Sequence, residues 1–83
     1  MPIISMFYGI IIRMFYFDNK EHFLPHIHIE YQDYKAVIAI ESSETLAGNF
    51  PPNKMKLVYA WIEIHRDELM ADWKLASEGS SVL

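Results

Sequence analysis

Residues 25–41 read PHIHIEYQDYKAVIAIE, and the alternation inside that stretch decides the fold. Ile27, Ile29 and Tyr31 alternate with His26, His28 and Glu30. After the polar break Gln32-Asp33-Tyr34, the residues Ala36, Ile38 and Ile40 alternate with Val37, Ala39 and Glu41. A period of two with β-branched residues is the pattern of a half-buried strand. Two such runs across a short polar break predict an antiparallel hairpin. Pairing Gln32 with Lys35 sets Tyr31 against Ala36, Ile29 against Ile38 and Ile27 against Ile40, all on one face. His26, His28, Glu30, Val37, Ala39 and Glu41 then share the other face. A slip by one residue would mix the two sets, so burial of the apolar set selects this sorting. The histidines are expected to point away from the main core.

Upstream, residues 1–17 read MPIISMFYGIIIRMFYF. No positive cluster precedes the run, Arg13 interrupts it, and it falls short of the ~20 apolar residues that a membrane span needs. Its β-branched and aromatic residues favour strands. Pro2 to Tyr8 is read as a first strand, with Gly9 allowing a bend or bulge. Ile10 to Phe17 is read as a second strand inside the sheet, because it is apolar on both faces. Arg13 must then find a carboxylate or reach a sheet edge, since a lone buried charge is costly. Asp18 to His22 forms a turn or loop, Ser42-Ser43-Glu44 a second turn, and Thr45-Leu46-Ala47 a short edge strand closed by Gly48-Asn49.

Downstream, Pro51-Pro52 opens a helix, proline being suited to a first turn that misses no donor. Asn49 or Asn53 is available as its cap. Met55, Val58, Ile62, His65, Leu69, Trp73 and Ala76 recur at three and four residues, and Leu57, Trp61 and Ile64 widen the stripe. That is an amphipathic helix laid on the apolar sheet face. It runs from about residue 52 to 77 as one piece or with a break near Arg66-Asp67. The expected architecture is therefore α+β: an antiparallel meander of four to five strands with one long C-terminal helix, whole or broken, on one face. Residues 1–78 form a single domain, and 79–83, beyond the stop at Gly79, a frayed tail.

Composition supports this. With 83 residues, 52% of them hydrophobic and 14% aromatic, the chain has enough for a core and some apolar surface left over. Such surplus marks a protein partner or homo-oligomer interface. There is no cysteine, which excludes disulfides and thiolate zinc sites and fits a reducing cytoplasm. The net charge of −4 disfavours a general electrostatic hold on nucleic acid and suits a partner with a basic surface.

His26 and His28 carry the chemistry. Residues two apart on a strand share a face, so two imidazoles can grip one divalent metal with Glu30 or Glu41 as a further ligand. His22 could swing in from the preceding loop. The same residues also read as solvent-facing polar groups of an amphipathic strand, or as a binding face for a partner. A histidine near its ordinary pKa of ~6.5 can instead act as a general base. With Arg13 on the same face, it could activate a 2′-hydroxyl and cleave RNA without metal. His65 lies on the helix stripe and is read as a core histidine bonded to a strand or a carboxylate. Trp61 and Trp73 are read as core. Glycine-rich phosphate loops and serine nucleophile elbows are absent.

Three motifs in order bring a family into view. The opening Met1-Pro2-Ile3-Ile4-Ser5-Met6-Phe7-Tyr8-Gly9-Ile10-Ile11-Ile12-Arg13-Met14-Phe15 resembles the start of the small bacterial "domain of unknown function 4160" family. Pro25-His26-Ile27-His28-Ile29-Glu30-Tyr31 resembles its Pro-His-aromatic-His signature, with Ile27 where an aromatic is common. Trp61 to Trp73, with His65-Arg66-Asp67-Glu68-Leu69 inside it, resembles its closing helix. The loop Asp18 to Leu24 departs from the family's shorter form. The resemblance implies no established catalytic residues; His26 and His28 carry over as motif members alone. It also implies an arrangement beside a second small family, "domain of unknown function 2442", of toxin–antitoxin type. The expected function is a cytoplasmic protein-interaction module of such a pair. The alternatives are a metal- or histidine-dependent hydrolase acting on RNA, with His26, His28 and Arg13 as its candidates, and a non-catalytic metal-binding module.

Overall fold

The computed structural model describes residues 3–14 and 24–77. The expectations placed on Asp18 to His22, on Phe15 and Phe17, and on the tail from Gly79 fall outside the described residues.

In chain order the elements are β1 (Ile3–Phe7), β2 (Ile10–Arg13), β3 (His26–Tyr31), β4 (Tyr34–Ala39), β5 (Thr45–Asn49) and α1 (Pro52–Ser77). The strands form a single antiparallel sheet in the order β1-β2-β3-β4-β5. This is the α+β meander expected from the alternation, with all five strands present. α1 is unbroken across Arg66-Asp67. Its first backbone bonds run from the Lys54 and Met55 amides to the Pro51 carbonyl, at 3.0 and 2.8 Å. Pro51 therefore stands just outside the helix, and Pro52 takes the first helical position, where a missing N–H costs nothing.

The central hairpin has a different register from the one the polar break suggested. Tyr31 pairs with Tyr34, Ile29 with Ala36 and Ile27 with Ile38. Gln32 and Asp33 are the whole loop, and Gln32 sits at φ 54, the left-handed geometry that tight hairpins demand. The shift from the expected pairing is two residues, so every side chain keeps its face. Gly9 serves in a turn of the same kind: Tyr8 and Gly9, at φ 49 and 78, join β1 to β2.

One face of the sheet meets α1. Ile10, Ile12, Ile27, Ile29, Ile38 and Ile40 are fully buried there, packed with Val58, Ile62 and Leu69 of the helix stripe. Fully burying an aliphatic side chain contributes about 1.5–3 kcal/mol, so this cluster is the main source of stability. Arg66 fastens the β4–β5 connection to the helix. Its Nε donates to the Ile40 carbonyl at 3.0 Å, Nη2 to Ser43 Oγ at 3.0 Å and Nη1 to Glu63 Oε1 at 2.7 Å.

Helix and sheet differ in length, and this shapes the site. α1 has 26 residues and β3 has six. At about 1.5 Å per helical residue the helix runs about 39 Å, against about 20 Å for a six-residue strand. Lys54, in the first turn, lies 5.0 Å over the Tyr31 ring at the C-terminal end of β3. Trp73, near the other end of α1, lies against His26 at the N-terminal end of β3. The helix is thus antiparallel to β3 and overhangs its beginning. Among the described residues no helix is long and apolar enough to cross a membrane.

Candidate functional site

The sheet face opposite α1 carries the residues singled out in the sequence. Period two puts Ile11 and Arg13 of β2, His28 and Glu30 of β3, Lys35 and Val37 of β4, and Ala47 and Asn49 of β5 on that face. Cross-strand pairing arranges them in two rows. One row is Arg13, His28, Val37 and Ala47; the other is Ile11, Glu30, Lys35 and Asn49. Arg13 Nη1 donates to Glu30 Oε2 at 3.0 Å, linking the rows diagonally. This is the carboxylate that Arg13 was expected to need. Both side chains remain roughly 30% exposed, at 30% and 27%, so the pair anchors geometry more than it adds stability.

A hollow of about 190 Å³ opens between β3, β4 and β5, lined by His28, Glu30, Lys35, Val37, Ala47 and Gly48 among others. Its floor is apolar, from Val37 and Ala47, and its rim carries an imidazole, a carboxylate and an ammonium. Gly48 lets β5 come close to β4 here. It sits at φ +81 opposite Ala36, where a Cβ would fall 2.2 Å from the Lys35 carbonyl oxygen.

The two histidines do not share one environment. His28 is half-buried on the open face, directly across from Arg13. His26 is fully buried, which corrects the expectation that both imidazoles face solvent. Its Nδ1 lies 2.8 Å from the Leu24 carbonyl oxygen, and its ring centroid 4.9 Å from that of Trp73. The helix end covers this end of the strand: Trp73, near the C-terminus of α1, packs against the His26 ring. The imidazoles remain neighbours, with centroids 5.3 Å apart.

The expected metal set is spread out. Glu30 is engaged by Arg13. Glu41 is exposed in the turn after β4 and is not paired into the ladder. Among the described residues, no group of three or more His, Asp or Glu side chains is placed to hold a metal ion. His22 falls outside the described residues. His65 does bond to a partner, but to its own helix: Nδ1 lies 2.8 Å from the Trp61 carbonyl oxygen, and its ring stacks on Trp61 at 4.5 Å. Trp73 is core, as read; Trp61 is half-buried at the margin, stacked on Phe7 at 6.1 Å.

Three contributors to this face went unread in the sequence: Lys35 and Ala47 on the hollow, and Gly48 beneath it. The register shift between Val37 and Ile38 sets where β5 lies. Only a glycine in an otherwise ordinary strand hinted at such an approach.

The match to a family model spans residues 9–74, which is most of the chain; the family is described as a domain of unknown function, DUF4160. The chain belongs to that family. Neither the curated proteins nor the solved structures compared with it include a match.

Proposed function

We propose that this domain is a protein-interaction module, one half of a cytoplasmic toxin–antitoxin-like pair, and that the open sheet face is its docking surface. The observation that carries this reading is the hollow between β3, β4 and β5, with its apolar floor and mixed charged rim. A shallow, partly apolar surface ringed by polar groups is the usual anatomy of a protein interface. It takes a side chain from a partner more readily than it encloses a small molecule. Arg13 and Glu30 hold each other in place, so the rim is ordered before a partner arrives, which lowers the entropic cost of docking.

The test is co-expression with the product of the adjacent gene, followed by size-exclusion chromatography. A complex is expected with the unaltered chain. Ala47→Arg fills the hollow from an exposed position and should abolish the complex while the helical circular dichroism stays unchanged. Co-elution that survives Ala47→Arg refutes this surface. A chain that never co-elutes and has no effect on growth refutes the pairing.

A second reading has separate support: Arg13 lies directly across the strand pair from His28. That is the condition metal-free RNA cleavage required. His28 would take the proton of a 2′-hydroxyl as that oxygen attacks phosphorus, Arg13 would balance the phosphoryl charge, and the P–O5′ bond would break with the 5′-oxygen protonated by water, giving a 2′,3′-cyclic phosphate and a 5′-hydroxyl. Loss of RNA cleavage in both His28→Ala and Arg13→Ala, with folding intact, supports it; unchanged cleavage in either, or none with the unaltered chain, removes it.

A further inference from the structure

The open sheet face carries a sign opposite to that of the chain. Arg13 and Lys35 stand there against a single carboxylate, Glu30, whereas the chain as a whole has a net charge of −4. The neighbouring edge strand, TLAGN, adds no charge.

Lys35 is directly opposite Glu30 across the strand pair, a placement in which opposite charges attract. Glu30 is nevertheless held from its other side, by Arg13 Nη1 at 3.0 Å. A planar guanidinium matches a carboxylate better than a strongly hydrated ammonium does. Among the described residues Lys35 therefore makes no ion pair, and it is exposed. Its ammonium stands at the rim of the hollow between β3, β4 and β5. Val37, two residues further along β4, pairs with Ala47 of β5, and these two form the apolar floor. Two residues of strand span about 6.7 Å, a distance that the flexible four-carbon stem of lysine covers. β5 is a low wall here, because Gly48 has no side chain and Ala47 only a methyl group. A long side chain can enter over it.

We propose that the hollow receives a glutamate side chain of the protein partner. This rests on the docking surface proposed above and names what docks there. The methylenes of the glutamate lie on Val37 and Ala47, and its carboxylate meets the Lys35 ammonium. An aspartate, one methylene shorter, covers less of the floor. A lysine or arginine brings a further cation beside Lys35, where like charges repel. A dianionic phosphate finds one uncommitted ammonium with the Glu30 carboxylate beside it, a poor match. Elsewhere the acidic surplus of the chain repels an acidic segment, so attraction is confined to this face and orients the encounter.

Amide NMR on the full chain, titrated separately with pentanoate, pentylammonium and inorganic phosphate, tests the chemistry without the partner. Pentanoate should shift the Lys35, Val37, Ala47 and Gly48 amides with a Kd of about 10 mM, as suits so small a ligand. The other two should not. Lys35→Glu should weaken pentanoate at least about tenfold, and Lys35→Ala, which sets no second carboxylate opposite Glu30, about threefold. Lys56→Glu, the same change of charge on an exposed part of α1, should have no effect. No shift of these amides up to about 100 mM pentanoate, equal shifts with pentylammonium or phosphate, or pentanoate binding that both Lys35 variants leave intact overturns the inference. Co-expression with the product of the adjacent gene separates the two proposals. A complex lost in Ala47→Trp, which fills the hollow without adding charge, and weakened in Lys35→Glu supports both. A complex lost in Ala47→Trp but unchanged in Lys35→Glu overturns the glutamate and leaves the docking surface standing. One that survives Ala47→Trp overturns both.

Discussion

Replacing Gly48 with alanine, with Gly9→Ala as the control, separates steric collision from backbone strain. The two glycines have nearly the same conformation, at φ +81 and +78. An L-residue there costs about 1–2 kcal/mol, offset by about 0.4–1 kcal/mol from the stiffer unfolded chain. Space is what differs. A Cβ on Gly48 would lie 2.2 Å from the Lys35 carbonyl oxygen and 2.9 Å from the Ala36 Cα. Those are backbone atoms of β4, and they yield only if β5 is pushed away from its partner. A Cβ on Gly9 meets the Tyr31 ring, nearest at Cε1, 3.2 Å away, and a ring can tilt. Overpacking against a rigid neighbour adds about 1–3 kcal/mol. Gly48→Ala should therefore cost about 3 kcal/mol and Gly9→Ala about 1 kcal/mol. A domain of 83 residues has roughly 4–12 kcal/mol in all at the usual stability per residue. Urea unfolding followed by helical circular dichroism reads the difference. With a slope of about 1–1.5 kcal/mol/M, the midpoint should fall by about 2–3 M for Gly48→Ala and by under about 1 M for Gly9→Ala. Equal midpoints for the two variants, with unchanged slopes, would refute the close approach of β5 to β4 and with it the shape of the hollow.

Arg66→Ala should cost about 1–3 kcal/mol in the same assay, because it removes a charged donor from the Ile40 carbonyl and from Ser43. Arg66→Lys should recover little of this, since one ammonium cannot reproduce three diverging bonds. A double-mutant cycle on Arg13→Ala and Glu30→Gln should give a coupling of about 0.5–1 kcal/mol, as expected for a part-exposed pair, shrinking as salt is added. A coupling above about 2 kcal/mol would mean that the pair is far better shielded than its exposure indicates.

The arrangement of the sheet was legible because it rests on alternation. Ile27, Ile29, Ala36, Ile38 and Ile40 had to share a face whatever the turn did, and a two-residue error in pairing left that untouched. The helix was legible for a similar reason: its buried stripe repeats often enough that no single residue decides it. What could not be read was the length of the hairpin loop. Asp33-Tyr34 and Gln32-Asp33 are both acceptable two-residue turns by composition, and the choice depends on Gln32 accepting a positive φ. The place of Gly48 was hidden too, since the bulge beside Val37 arises from how β5 meets β4 and leaves no mark in either strand's pattern.

The burial of His26 shows where the alternation rule stops. Period two assigns a side chain to a face, and a face becomes an environment only where another layer covers that stretch of strand. α1 is about twice as long as the strands it covers, so its last turns reach past the start of β3. Trp73 belongs to the buried stripe, yet the apolar surface it finds there includes the His26 ring on the nominally open side. His28, one step further along the same face, lies within the sheet and keeps the half-buried character that alternation assigned to it. Two residues of identical type, on one strand and two positions apart, thus fall to different parts of the molecule: His26 to the packing of the helix end, His28 to the open face with Arg13 and Glu30. The comparison of strand and helix lengths, six residues against 26, contains the reason.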